Sequence, residues 1–183
     1  ACMTGLRMAA PLMLLREGQA EAAIGLLLSL FALSQVFLAL PAGRLTDRWG
    51  LSRCFTLAAS ASALGALMAA CWPVIWTLGL AALMSGAGCG LVIISLQRHV
   101  GRISHDPIEL RSAFSWLSIG PAVSNLLGPL SAGVLIDGMG FQAAFGMLAS
   151  FPFWGWLILR GVTHAGLAPA VSPTVNAPAW ELL

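Results

Sequence analysis

Four stretches of this sequence carry no charged side chain at all: Ala22 to Gly43, Cys54 to Gln97, Ser112 to Ile136 and Gly138 to Leu159, which are 22, 44, 25 and 22 residues long. A helix crossing a lipid bilayer needs about 20 mostly apolar residues. The longest stretch holds two such helices, because Cys71-Trp72-Pro73 interrupts it with a residue that cannot continue the helical ladder. Five complete spans follow, near Ala22–Pro41, Cys54–Trp72, Ile75–Leu96, Ala113–Ile136 and Phe141–Leu159. Composition agrees: 58% of residues are hydrophobic, only 9% are charged, and mean hydropathy is +0.88. A water-soluble domain usually carries about a quarter charged residues. An ordinary soluble enzyme, a disordered tail and a nucleic-acid binder are thereby excluded as classes.

The first residues, Thr4 to Leu15, are apolar apart from Arg7, yet twelve residues rise only about 18 Å of the roughly 30 Å required. They read as the outer half of a first span that begins before Ala1. A secretory signal peptide is the rival reading, disfavoured by Pro11 within the short apolar run and the lack of a clean cleavage site. All nine basic residues are Arg. Three fall between Arg44 and Arg53 and three between Arg98 and Arg111; Arg160 follows the last span, while the alternate connections offer only Arg16. Positively charged loops remain cytoplasmic. Both long loops, the N-terminal side and the C-terminus are therefore expected in the cytoplasm, which requires six spans. Residues 1–160 form the expected six-span bundle, and 161–183, with Pro169, Pro173 and Pro178, a cytoplasmic linker or tail. Trp49, Trp72 and Trp76 fall near the expected interfaces.

Between the second and third spans the chain reads Gly43-Arg44-Leu45-Thr46-Asp47-Arg48-Trp49-Gly50-Leu51-Ser52-Arg53. Sidedness explains the arginines but not an Asp set four residues after one Gly and three before another. The spacing G-x-x-x-D-R-x-G-x-x-R resembles the signature loop of the major facilitator superfamily, twelve-span secondary transporters that carry it between spans two and three on the cytoplasmic side. Leu51 and Ser52 stand where the family commonly has Arg or Lys. The resemblance implies a gating loop of Gly43, Asp47, Arg48, Gly50 and Arg53. Asp47 would accept hydrogen bonds from Arg48, Arg53 or a helix N-terminus in the opposite half, where negative charge is favoured. Gly43 would allow close approach and Gly50 a sharp turn.

In the fifth expected span Gly120, Ser124, Gly128 and Ala132 recur every four residues and make a strip of small side chains about 18 Å long for another helix. Pro121 and Pro129 release the carbonyls of Leu117 and Asn125, so a bend is expected there. The stretch from Ser124 through Gly128, Pro129, Ala132 and Gly133 resembles the family's fifth-span motif g-x-x-x-G-P-x-x-G-G, associated with exporters that work as antiporters. Ser124 and Ala132 replace two of its glycines. Arg111 also resembles a basic residue of the family. In the fourth span Ala82-Leu83-Met84-Ser85-Gly86-Ala87-Gly88 has Ala82 and Ser85 where the family's R-x-x-Q-G-x-G pattern has Arg and Gln.

Depth singles out three more residues. If Arg16 marks the outer interface, Arg7 lies about 13 Å deeper, where an arginine normally faces a wet cavity or a partner. Gln35, about 12 Å from Gly43, and Asn125, about 18 Å from Asp137, also lie near mid-depth. First spans of the family line its central cavity, so Arg7, Gln35 and Asn125 are the candidate substrate residues, and a cationic wall favours an anionic or carbonyl-rich solute. No Asp or Glu occurs inside a complete span, so no intramembrane proton carrier stands out.

Neither a catalytic residue nor a cofactor is indicated: His99, His105 and His164 fall outside the complete spans and no GxSxG nucleophile motif occurs. His99, His105 and Asp106 lack a completing ligand for a metal site. Cys2, Cys54, Cys71 and Cys89 form no CxxC pair and read as small apolar fillers.

The expected fold is thus an all-α membrane protein, a six-transmembrane-helix bundle forming one half of a twelve-helix facilitator-type transporter. The implied function is secondary active transport of a small organic solute by alternating access, with efflux antiport suggested by the fifth span. The implied partners are membrane lipid, a small-molecule substrate and a C-terminal six-helix half outside this sequence; nucleic acid is not among them. The expected location is a multi-pass position in a bacterial inner membrane. The alternatives are a six-span structural or assembly protein, which leaves the Asp47 spacing unexplained, and an intramembrane enzyme.

Overall fold

A computed structural model describes residues 1–103 and 107–164. Every regular element among them is helical: α1 Cys2–Arg16, α2 Glu21–Cys71, α3 Ile75–Ile103, α4 Pro107–Met139 and α5 Phe141–His164. Within α2 the backbone leaves helical geometry at Gly50, with φ 75° and ψ 170°. Two arms, 21–49 and 51–71, therefore raise the number of helices to six. Five of the six are long and apolar enough to cross a membrane. The chain is an all-α, multi-pass membrane bundle.

The helices outrun the charge-free stretches. The first arm of α2 continues through Pro41 to Trp49, α3 passes Leu96 to reach Ile103, and α4 begins at Pro107 instead of Ala113. The ladder of backbone hydrogen bonds does not stop where lipid ends, and Pro41 deletes only one of its rungs. The expected loop at Gly43–Arg53 is consequently two helix ends joined at one residue. Gly50 holds a positive φ that side chains disfavour, which is why a glycine stands there. α4 stays helical through both Pro121 and Pro129. The remainder of the expected tail, 165–183, and the His105 and Asp106 pair lie outside the described residues.

In a bilayer the lipid is as apolar as leucine, so helices gain little from burying leucines and hold together by close backbone approach. α3 shows this on two faces. Gly86 lies against the first arm of α2, where an added Cβ would come within 2.7 Å of the Phe31 carbonyl oxygen. Gly88 lies against the second arm, and a Cβ there would come within 2.7 Å of the Ala58 carbonyl oxygen. Gly65 returns the contact at Ala81. α3 is thus clamped between the two arms with almost no side chain in the seams. These are the glycines of the fourth-span motif, and packing alone accounts for them.

α1 and α4 meet in the same way. A Cβ on Gly128 would lie 2.5 Å from the Ala1 carbonyl oxygen and 2.8 Å from the Gly5 nitrogen. Of the expected small-residue strip, Gly128 and Ala132 are buried and Ser124 partly so. Gly120 faces the cavity described below, with no described neighbour within 4 Å. Larger side chains fill the half of the bundle nearer the α1–α2 turn, where Leu6, Leu14, Phe31, Leu78, Phe145 and Leu148 are fully buried. A smaller cluster of Ala42, Cys54, Ala58 and Leu91 closes the half nearer Gly50. α5 is tied to the second arm of α2 by Trp156, whose Nε1 donates to Thr56 Oγ1 at 3.2 Å.

Glycine seams make a sharp prediction. Gly88→Ala and Gly128→Ala should each cost about 1–3 kcal/mol through overpacking. Gly146→Ala on α5, with no neighbour within 4 Å, should be neutral or stabilising by up to about 1 kcal/mol. Thermal unfolding of the purified full-length protein in detergent checks the ordering; equal melting of all three variants contradicts it.

Candidate functional site

Asp47 sits on the last helical turn before Gly50, and its two carboxylate oxygens are taken by different arginines of α3. Arg98 Nη1 donates to Oδ2 and Arg102 Nη2 to Oδ1. The two arginines are four residues apart, so they project from one helix face toward the same acid. The expected partners Arg48 and Arg53 are therefore replaced by residues some fifty positions away. Arg48, the next residue along the arm, projects about 100° around the helix from Asp47, and Arg53 lies beyond the turn.

The G-x-x-x-D spacing now has a physical explanation. Gly43 is one turn before Asp47 on the same face, and the Arg98 guanidinium crosses its bare backbone on the way to the carboxylate. A Cβ at Gly43 would lie 2.7 Å from Arg98 Nη2. One turn of α3 below Arg98, Ser95 is buried and its hydroxyl lies 2.8 Å from that of Thr46, which also bonds the Ala42 carbonyl oxygen at 2.8 Å. The ion cluster thus rests on a buried hydroxyl pair. Its own side chains are 39%, 45% and 60% exposed for Asp47, Arg98 and Arg102, so water and salt screen it. Such pairs contribute at most about 1 kcal/mol to stability. The fixed geometry and the surplus positive charge at this mouth are its more consequential properties.

A cavity opens between α1, α2, α3, α4 and α5, and its lining includes Arg7, Gln35 and Asn125 from three different helices. Among the described lining residues Arg7 is the only charged one. Arg7 and Asn125 each stand four residues before a proline, Pro11 and Pro129. Their main-chain carbonyls are released from the helical ladder at the same level as their side chains. Thr4, one turn before Arg7, donates from Oγ1 to the Ser124 carbonyl oxygen at 2.6 Å and joins α1 to α4 beside the cavity. Gln35 Nε2 donates to Met3 Sδ at 3.2 Å.

The structure also brings into the cavity wall residues to which the sequence reading gave no cavity role, Cys2 and Cys89 among them, read there as small apolar fillers. Ser85, Cys89, Val92 and Leu96 recur at helical spacing and make up the cavity face of α3, while Cys2, Ser62 and Gln97 add to the wall. Their signal in the sequence is only a periodicity of small and polar residues, which identifies a helix face without saying what that face looks onto. Arg111 is not part of this lining.

A family model for the Major Facilitator Superfamily matches residues 1–178. The chain belongs to that superfamily. Among curated superfamily proteins it is similar to Multidrug resistance protein D of Escherichia coli (strain K12), at 30% identity over 170 residues, covering 92% of this chain and 40% of that protein. It is also similar to Inner membrane transport protein YajR of the same organism, at 26% identity over 156 residues, covering 81% of this chain and 33% of that protein. The chain thus spans well under half the length of these superfamily relatives.

The path of Arg98 across Gly43 can be tested by rescue. Gly43→Leu should cost about 1–3 kcal/mol because its side chain displaces the guanidinium. Adding Arg98→Ala should recover at least half of that loss by removing the displaced group. Urea or thermal unfolding of the full-length protein reads the outcome; a double variant less stable than Gly43→Leu alone contradicts the geometry.

Proposed function

We propose that this chain forms one six-helix half of a secondary transporter that moves a small organic solute across a membrane by alternating access. The observation that carries the reading is the single charged side chain among the described residues of the cavity wall. Arg7 faces the opening together with Gln35 and Asn125, each supplied by a different helix, and a lone cation in an otherwise uncharged wall selects for anionic or carbonyl-rich solutes. The guanidinium offers a planar fork of donors that matches a carboxylate. Gln35 and Asn125 add neutral donors and acceptors that fix orientation.

Asp47, with Gly43, Arg48, Gly50 and Arg53, serves in this proposal as the cytoplasmic gate element. Asp47 fixes Arg98 and Arg102, and the surplus guanidinium charge faces the C-terminal half. The resemblance of Ser124–Gly133 to the antiporter motif, and the printed name of Multidrug resistance protein D, favour export over import. The Arg-rich connections favour a cytoplasmic position for the mouth at Asp47, and the relatives in Escherichia coli favour a bacterial inner membrane. The cavity wall supplies no carboxylate among its described residues, so the group that couples transport to an ion gradient is assigned to another part of the transporter.

Full-length protein in proteoliposomes tests the reading with a panel of anionic and neutral solutes. Arg7→Gln should weaken an anionic substrate about 10- to 100-fold, the loss of a charge-assisted hydrogen bond, and should change transport of neutral solutes little. Asp47→Asn should reduce the maximal rate for all of them. Unaltered transport in both variants, or labelling of an introduced Ser52→Cys from the periplasmic side, would overturn the assignment.

A further inference from the structure

The second arm of α2 and α5 run antiparallel, and one hydrogen bond fixes their register. The Arg16 guanidinium carbon lies 5.3 Å from the Phe141 ring centroid, so α5 starts beside the α1–α2 turn and runs toward the level of Gly50, where the second arm begins. Trp156 Nε1 donates to Thr56 Oγ1 at 3.2 Å. Arg53 is three residues before Thr56 and Arg160 four after Trp156. Both are thereby displaced from that bond toward the Gly50 end, by about 4.5 and 6 Å, each on the helix face that carries the bond.

Arg160 is held in place. Its guanidinium carbon stands 4.2 Å from the centre of the Trp156 ring, whose face attracts a cation. Phe153 packs on the same ring, with centroids 6.0 Å apart. Thr56, which fixes the ring nitrogen, donates in turn to the Ser52 carbonyl oxygen at 3.0 Å, one residue before Arg53. An unbroken line of contacts therefore joins the turn that carries Arg53 to the guanidinium of Arg160. Arg53 forms no ion pair among the described residues, since Asp47 is taken by Arg98 and Arg102.

These two arginines face away from the solute cavity. They lie about 160° and 140° around their helices from Phe55 and Gly155, which line it, and both are exposed. A second half that closes the cavity packs on the cavity side, so this flank is left to the bilayer. Leu57 and Leu157, one turn from the arginines, and Phe153, two turns from Arg160, are exposed on the same flank. Two guanidinia at the end of an apolar strip match a phospholipid in charge and in polarity along its length, and basic pockets between membrane helices recruit anionic headgroups. We propose that Arg53 and Arg160 hold the phosphate of an anionic phospholipid in the leaflet on the Gly50 side, its acyl chains lying along Leu57, Phe153 and Leu157. Each guanidinium presents a planar fork of donors that fits phosphate oxygens, and the bound headgroup bridges α5 to the second arm of α2. The site requires the bundle to lie in a membrane but not the solute reading of the cavity.

The test uses the full-length protein in detergent with added phosphatidylglycerol, and native mass spectrometry counts the lipid retained. The wild type should retain one more phosphatidylglycerol than Arg53→Gln/Arg160→Gln, whose affinity should fall about 30-fold. Trp156→Leu should weaken retention about 3-fold by releasing Arg160 from its position. Arg44→Gln/Arg111→Gln, which removes the same charge from other helices, should retain the lipid as the wild type does. Phosphatidylethanolamine, without net charge, should bind wild type and Arg53→Gln/Arg160→Gln alike, and excess inorganic phosphate should not displace phosphatidylglycerol. Equal retention by wild type and Arg53→Gln/Arg160→Gln, an equal loss in Arg44→Gln/Arg111→Gln, or displacement by inorganic phosphate overturns the lipid site. Unaltered retention in Trp156→Leu overturns the positioning of Arg160. Arg7→Gln should retain phosphatidylglycerol fully, so a failure of the solute reading leaves this measurement intact.

Discussion

Close approach of helix backbones at glycine is the constraint from which the remaining features of this bundle follow. Without a hydrophobic incentive for helices to associate in lipid, stability rests on dispersion and on how near the main chains can come. Gly86 and Gly88 put α3 against both arms of α2, and Gly128 puts α4 against the start of α1. These seams set the relative heights of the helices. The height of α3 against α2 brings Arg98 and Arg102 level with Asp47, and the height of α1 against α4 brings Arg7 and Asn125 to the same cavity.

The two chemically distinct regions draw on different properties of arginine. At the inner mouth, Arg98 and Arg102 act through geometry in water, where the ion pairs are screened and their net energy is small. In the cavity, Arg7 is exposed and is the only charged side chain among the described lining residues. At the mouth one carboxylate is shared by two arginines, which leaves surplus positive charge there, whereas no acid occurs among the described residues lining the cavity beside Arg7.

The helical content and number of spans were legible from the absence of charge alone, because the cost of burying a charged group in lipid leaves a plain trace in a sequence. Counting residues from Arg16, Gly43 and Asp137 also singled out Arg7, Gln35 and Asn125, and all three line one cavity. Partnership across helices was not legible. Asp47 has arginines one and six residues away, yet it pairs with two that are 51 and 55 residues distant, since local order says nothing about which helix lies opposite. Gly5 gave no sign that Gly128 would cross it. The helix ends were misjudged because charge marks the edge of lipid, whereas a helix ends where its hydrogen bonding is interrupted, as at Gly50. Cys2 and Cys89 look like any other small apolar residues until their faces are known.

The distribution of proline gives this bundle an uneven mechanical character. α3 has no proline and is gripped along both sides, and the two arms of α2 that grip it carry a single one, Pro41, so these segments make the stiffer plate. α1, α4 and α5 carry Pro11, Pro121, Pro129 and Pro152 within their helices, and each proline removes one axial hydrogen bond. Compliance is thereby concentrated in the helices that form the other side of the cavity. Deformation of the cavity wall therefore falls first on α1, α4 and α5, while Asp47, Arg98 and Arg102 ride together on the stiffer plate.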